Sequence, residues 1–88
     1  MGNDSLATLQ NALSTAAELV LAKSPNRSFA EVKNADAAIS VYLGKDSTVS
    51  ASNGHLLKAG EAFVFSGYTG PIWAIAASGT PTVTAMEW

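Results

Sequence analysis

The residues of this sequence that can carry acid–base or metal chemistry are few and far apart. There is one histidine, His55, and the seven acidic residues show no ligand-like spacing around it. General acid–base catalysis and metal binding need such groups to converge as pairs or clusters. There is also no cysteine to act as a nucleophile, a thiolate ligand or half of a disulfide. We predict no enzyme, no metal site and no cofactor; a small hydrolase built on His55 is the minor alternative.

Three aromatic residues are better candidates for a functional surface. Tyr68 lies between glycines in a predicted loop, Trp73 falls out of phase with Ile72 and Ala74, and Trp88 is the last residue. Large, stiff, amphipathic side chains are enriched at binding hot spots because they bury much area at a low entropic cost. We therefore name these three as candidate protein-interface residues, with burial in the core as the open alternative. The other four aromatic residues lie in alternating stretches and are expected in the core: Phe29, Tyr42, Phe63 and Phe65.

The composition favours association with other proteins. Only 14% of the residues are charged, 48% are hydrophobic, and the net charge is −2. Average domains carry roughly 25% charged residues, so a partner that covers part of this surface is favoured. The five basic residues are scattered singly, without the clusters that bind phosphate backbones or anionic membranes: Lys23, Arg27, Lys33, Lys45 and Lys58. We predict neither a nucleic-acid partner nor a membrane partner.

The elements that must position these residues are short strands. Alternating apolar and polar residues, separated by glycine, proline and asparagine, predict about seven strands within residues 16–22, 29–33, 38–43, 48–50, 55–57, 63–65, 72–76 and 83–85. Asn53-Gly54 predicts a tight hairpin between residues 48–50 and 55–57.

This pattern predicts one all-β domain, a small antiparallel β-sandwich or jelly-roll-like barrel, over residues 15–88. Residues 1–14 are ambiguous and are interpreted as an N-terminal arm, with a helical turn or a short strand as the open alternatives.

The order and spacing of several short motifs resemble small virion-associated domains encoded by tailed bacteriophages. The resemblance covers roughly residues 15–88 and begins with an alternating strand followed by a Pro-Asn-Arg turn. Its main motifs are Ala17-Glu18-Leu19-Val20-Leu21-Ala22-Lys23-Ser24-Pro25-Asn26-Arg27, Val41-Tyr42-Leu43-Gly44, Leu57-Lys58-Ala59-Gly60-Glu61 and Gly67-Tyr68-Thr69-Gly70-Pro71-Ile72-Trp73. The resemblance implies a β-sandwich or jelly-roll-like structural protein of a phage particle, and it brings no catalytic residues.

From this resemblance we expect a capsid decoration or stabilisation (cement) subunit that binds the major capsid protein or another virion protein. A homo-oligomer is expected, with a trimer favoured. The alternative is a receptor- or glycan-binding module of a tail or fibre, in which Tyr68, Trp73 and the polar loop at 45–54 contact a sugar. The polar, acidic start does not suit a secretory signal. The expected location is therefore the virion, after synthesis in the bacterial cytoplasm.

Overall fold

The computed structural model describes residues 7–88, which form two antiparallel sheets of four strands each. The strands are β1 (Ala7–Ala12), β2 (Glu18–Leu21), β3 (Phe29–Asn34), β4 (Val41–Gly44), β5 (His55–Leu57), β6 (Ala62–Ser66), β7 (Ile72–Ala76) and β8 (Thr82–Glu87). One sheet has the order β1-β8-β3-β6 and the other β2-β7-β4-β5. This alternation of strands between two sheets is the jelly-roll topology. The predicted antiparallel all-β fold is confirmed.

Part of the predicted N-terminal arm is an edge strand. β1 pairs with β8 along its whole length, from Ala7 opposite Glu87 to Ala12 opposite Thr82. Leu13, which follows β1, is fully buried, and its N–H donates to the carbonyl of Pro81 over 2.8 Å. Within residues 7–14 the short strand left open for this segment is therefore present, and no helical turn is formed there. Residues 1–6 of the arm lie outside the described residues, and the division into an arm and a domain stays a prediction.

The core lies between the two sheets and is built from the inward side of each strand. Successive side chains of a strand point to opposite faces, so an alternating sequence fills one face with apolar groups. The buried residues in the strands are small or branched, as expected for closely packed sheets: Val20, Leu21, Ala30, Val32, Val41, Leu43, Leu57, Ile72, Ala74, Ala76, Val83 and Ala85. The alternation seen in β4, β7 and β8 follows the sequence pattern directly.

The hairpin prediction at Asn53-Gly54 is wrong. The paired strands are β4 and β5, with Val41 opposite Leu57, and the connection spans residues 45–54. The Asn53 side chain folds this loop on itself: its Oδ1 accepts the Ser50 N–H over 2.8 Å and its Nδ2 donates to the Thr48 carbonyl over 3.1 Å. Residues 48–50 are thereby held in turns and not in a strand. Asparagine supplies such local hydrogen bonds as readily as it supplies a hairpin turn.

The prediction of a core position is also wrong for two of the four aromatic residues. Phe29 faces outward and is 38% exposed, and Tyr42 is half-buried on the outer side of β4, opposite the exposed Leu56. Phe63 and Phe65 do point inward, since they pair with the fully buried Val32 and Ala30, yet both remain only half-buried.

Among the described residues, two buried side chains are polar, Arg27 and Asn34. The Asn34 Nδ2 donates to the carbonyls of Ile39 over 2.8 Å and Leu57 over 3.1 Å, and its Oδ1 accepts the Asp36 N–H. Because Asn34 belongs to β3 and Leu57 to β5, this side chain joins the two sheets across the core. Buried amides are tolerated only with such complete pairing.

Candidate functional site

His55 is part of an aromatic row and not of an acid–base cluster. It lies in β5 opposite the buried Leu43, and its ring centroid is 4.6 Å from that of Phe63. The ring of Phe63 is 4.9 Å from that of Phe65, which in turn is 5.7 Å from the ring of Tyr68. Within residues 7–88, no three His, Cys, Asp or Glu side chains are grouped so as to hold a metal ion. The chemistry available here is stacking and hydrogen bonding.

These four rings line an open cleft of about 400 Å³, which we call the aromatic cleft. The cleft lies where the edge strands β5 and β6, which belong to different sheets, approach each other. Among the described residues, its lining is Leu43, Gly44, Lys45, Asn53, His55, Phe63, Phe65 and Tyr68. Pockets of 300–1,000 Å³ with mostly apolar walls and a few polar groups are typical of small-ligand sites.

A buried arginine fixes one wall of the aromatic cleft. The Arg27 Nε donates to the Tyr68 carbonyl over 3.2 Å, and Nη2 donates to the Gly70 carbonyl. Its Nη1 binds the Ala22 carbonyl over 3.2 Å and the Glu87 carboxylate over 2.9 Å. One guanidinium therefore links the β2–β3 loop, the β6–β7 loop and the end of β8. A planar group with five donors is well suited to join several acceptors in this way.

The tyrosine on that wall is held in one orientation. The Tyr68 hydroxyl donates to the Pro71 carbonyl over 2.7 Å. Its ring lies over Gly70, where an added Cβ would come within 2.6 Å of the hydroxyl oxygen. Glycine is thus required at position 70 for this close approach.

The opposite wall is formed by the β4–β5 loop. The Asp46 carboxylate accepts hydrogen bonds from the hydroxyl and the N–H of Thr48, which lower the pKa of Asp46. Together with the bonds of Asn53 to Ser50 and Thr48, this folds the loop into a compact unit beside the cleft. Lys45, which belongs to the same loop, also lines the cleft.

The outer surface of the β2-β7-β4-β5 sheet is apolar. Leu19 pairs with Trp73, while Ile75 and Leu56 both pair with Tyr42. Leu19 and Leu56 are 42% and 41% exposed, and the other three are half-buried. No charged side chain lies among them on this side of the paired strands. We call these five residues, Leu19, Tyr42, Leu56, Trp73 and Ile75, the apolar face.

The outer surface of the β1-β8-β3-β6 sheet is mixed. Trp88 stacks on Phe29 with centroids 5.6 Å apart, and backbone hydrogen bonds between these two residues continue the β3–β8 ladder. In the next row Glu31 lies between Met86 and Val64, which is 50% exposed, and Lys33 follows on the same side. We call this surface, Phe29, Glu31, Lys33, Val64, Met86 and Trp88, the mixed face.

The three predicted interface residues therefore lie in three places: Tyr68 in the aromatic cleft, Trp73 on the apolar face and Trp88 on the mixed face. All three are half-buried. Their role in an interface stays a prediction. Sequence reasoning missed the grouping of His55 with Phe63 and Phe65. The available signal was the in-phase alternation of Phe63 and Phe65; the position of their strand at the edge of a sheet is visible only in the structure.

Comparison with known proteins relates this chain to others by fold. No family model matches the sequence, and no curated protein does. Five chains of solved structures match. One is the stem and receptor-binding domain of spike protein P1 from bacteriophage PM2, with a TM-score of 0.66 and 17% identity over 90% of this chain. This chain spans 31% of that spike chain.

Two further matches cover nearly the whole chain. A structure of disulfide-linked pili, the Bacillus endospore appendages, has a TM-score of 0.57 at 8% identity over 96% of this chain and 84% of the other. A de novo designed double-stranded β-helix has a TM-score of 0.55 at 14% identity, over 96% and 99% of the two chains. At these identities the likeness shows a shared fold. Among residues 7–88, no helix has the length and hydrophobicity to cross a bilayer.

Proposed function

We propose that this protein is a non-enzymatic structural component of a bacteriophage particle and serves there as a capsid decoration subunit. Its partner would be the major capsid protein or another virion protein, and its location the virion after synthesis in the bacterial cytoplasm. The likeness of fold to a domain of a phage spike protein supports the broader part of this proposal. The two outer sheet surfaces support the narrower part.

The observation that carries the proposal is that both sheets expose large apolar side chains on their outer surfaces. Leu19 and Leu56 on the apolar face and Phe29 and Val64 on the mixed face are each more than a third exposed. Exposed apolar patches of this kind mark protein interaction sites in soluble domains. An antiparallel sandwich that worked alone would keep the outer sides of its sheets polar.

The two faces suit different partners. Interfaces between identical subunits are more apolar than average surface, whereas non-obligate interfaces resemble ordinary surface in polarity. The uncharged apolar face therefore fits contact between copies of this chain, and we assign it to the homotrimer. The mixed face, with Glu31 and Lys33 beside Trp88, fits docking on the capsid lattice.

Binding to undecorated capsids tests this proposal. We expect the protein to bind such capsids at micromolar concentration in a sedimentation assay. Trp88→Ala should weaken binding by about tenfold or more, because truncation of a hot-spot tryptophan costs about 2 kcal/mol or more. The matched control is Lys45→Gln, which changes the aromatic cleft and leaves both faces intact.

Failure of the wild-type protein to bind any capsid lattice at micromolar concentration would exclude the decoration role. Equal loss of binding in Lys45→Gln and Trp88→Ala would place the docking surface elsewhere. Circular dichroism of each variant shows that the sheets are retained.

A receptor- or glycan-binding module is the second candidate, and one observation favours it. The aromatic cleft is lined by Tyr68 and by residues of the loop at 45–54, and both are predicted from the sequence to contact a sugar. Trp73, named with them, lies on the apolar face and is not part of the cleft lining.

A further inference from the structure

We propose that the aromatic cleft binds an acidic pyranose, a sugar residue that carries a carboxylate, within a polysaccharide. This inference deepens the second candidate function by naming the class of ligand. It does not depend on capsid docking, because the cleft and the mixed face share no residues.

The cleft is an inward-facing apolar surface that the core does not cover. Phe63 and Phe65 pair with Val32 and Ala30, which are 0% exposed, yet the two phenylalanines remain half-buried. The cause is that β6 and β5 are both edge strands, and no further strand within residues 7–88 closes the gap between the sheets. Large aromatic groups left partly open in this way gain from a ligand that removes them from water.

The shape of this surface suits a sugar ring. The rings of His55, Phe63, Phe65 and Tyr68 follow one another at centroid distances of 4.6, 4.9 and 5.7 Å. The face of a pyranose is formed by C–H groups, which are apolar and slightly positive. They pack favourably on the negative face of an aromatic ring. Sugar hydroxyls then remain at the edge of the contact, where they need polar partners.

Polar groups are present at that edge, and the charge among them is positive. Lys45 and Asn53 both line the cleft. Within the described part of the chain the only ion pair is Arg27–Glu87, so the Lys45 ammonium has no carboxylate in contact. The adjacent Asp46 is close enough to attract the Lys45 charge, but it does not line the cleft, and its Oδ1 accepts hydrogen bonds from the hydroxyl and the N–H of Thr48. A ligand carboxylate therefore complements Lys45.

The cleft is also prepared for binding. Tyr68 is held through its hydroxyl by Pro71 and through its carbonyl by Arg27, and the Asn53 amide is held by Ser50 and Thr48. A fixed wall loses little conformational entropy when a ligand arrives, which raises affinity for a given contact area.

The test is a titration of the whole protein followed by heteronuclear NMR. The probes are three acidic oligosaccharides that contain glucuronate, galacturonate or sialate, each paired with its neutral counterpart. We expect saturable shifts in the amides of residues 43–45, 53–55 and 63–68 with at least one acidic probe. Its neutral counterpart should bind at least about tenfold more weakly, as expected when one charge-assisted hydrogen bond is lost.

Two variants locate the site. Lys45→Gln should reduce affinity for the acidic probe to that of its neutral counterpart, while Lys33→Gln, the same change on the mixed face, should leave it unaltered. Tyr68→Leu should weaken binding of both probes, since it replaces the aromatic ring and its hydroxyl by a smaller aliphatic side chain. The proposal is overturned if no acidic probe binds, if neutral and acidic probes bind equally, or if the shifts lie outside the cleft. Capsid binding, measured separately, is unaffected by any of these results.

Discussion

Asp36 shows how one exposed carboxylate shapes the chain between β3 and β4. Its Oδ2 accepts the Ala38 N–H over 2.9 Å and the Ile39 N–H over 2.7 Å. Residues 36–40 are consequently held in a turn, and β4 begins at Val41 instead of at residue 38 as the sequence pattern predicted. These bonds, that of Ala38 first and that of Ile39 next, lower the pKa of Asp36 below its ordinary value.

This lowered pKa makes stability depend on pH in the acid range. Because the folded form holds the proton less tightly than the unfolded chain, the contribution of Asp36 is complete above the unfolded pKa of about 3.9. It is lost as the pH falls from there through the lower folded pKa. We expect the thermal midpoint to fall as the pH drops below about 4, and to fall less steeply in Asp36→Asn, whose side chain does not ionise.

Glu31→Gln is the control for this measurement, since it neutralises a carboxylate of the mixed face that no backbone N–H of the described residues holds. It should keep the acid-induced fall of the wild-type protein. Identical slopes in the wild-type protein and Asp36→Asn would contradict the assigned role of the Asp36 turn.

At the scale of elements, the arrangement of the β2–β3 and β6–β7 loops depends on Arg27. Its side chain is 0% exposed and binds three carbonyls besides the Glu87 carboxylate. The last residue of the Pro25-Asn26-Arg27 motif is thus the one whose side chain holds together the β2–β3 loop, the β6–β7 loop and the end of β8. If part of this hydrogen-bonded network is removed, the remaining buried polar groups lose their partners. This lowers the free energy of unfolding more than if these groups had never been buried.

Arg27→Lys tests this role with the charge retained. A lysine has one nitrogen in place of three and cannot reach all four acceptors, so we expect the free energy of unfolding to fall by about 2–4 kcal/mol. Urea denaturation measures it. The control Lys23→Arg, an exchange between the same two residue types at an exposed position, should change stability by less than about 0.5 kcal/mol. A similarly small change in Arg27→Lys would show that the guanidinium geometry is dispensable.

Strands were more predictable from the sequence than loops. The residues of β3, β6, β7 and β8 alternate cleanly, and their positions follow from that pattern because one side of β3, β7 and β8 is buried and one side of β6 is half-buried. The loop at 45–54 was not predictable, since Asn53 hydrogen-bonds either in a hairpin or within a longer turn. The aromatic cleft could be predicted only in part from the sequence. It forms where edge strands of the two sheets meet, and no local sequence pattern shows which strands lie at the edges.

At the scale of the whole molecule, the apolar face is the feature that a single copy leaves uncovered. Five largely apolar side chains on the outer side of one sheet, with no charge among them, are an unfavourable surface to keep in water. Convergence of three such faces on a common axis would bury them in a closed ring, which is the arrangement proposed for the homotrimer.

Light scattering coupled to size-exclusion chromatography measures this association. We expect a mass of about 27 kDa, three copies of the 9.0 kDa chain. Trp73→Glu should return the protein to a monomer, because it places a charge at the centre of the buried contact. Val64→Glu, the same charge added to the mixed face, should leave the trimer intact.

A wild-type monomer at high concentration, or a dimer of twice the chain mass, would contradict the trimer. If the trimer persists in Trp73→Glu but dissociates in Val64→Glu, then the mixed face forms the contact between copies and the apolar face does not.

The place of β8 has a consequence for how the chain acquires its structure. β8 is the last strand in sequence, yet it lies between β1 and β3, so its sheet has no continuous ladder until that strand arrives. Contacts between residues so distant along the chain must wait for a large loop to close, which makes folding slow. A nascent chain therefore cannot complete this sheet until residues 82–87 have left the ribosome. During that interval the edges of β1 and β3 are open to wrong partners, and early capture by neighbouring subunits would shorten it.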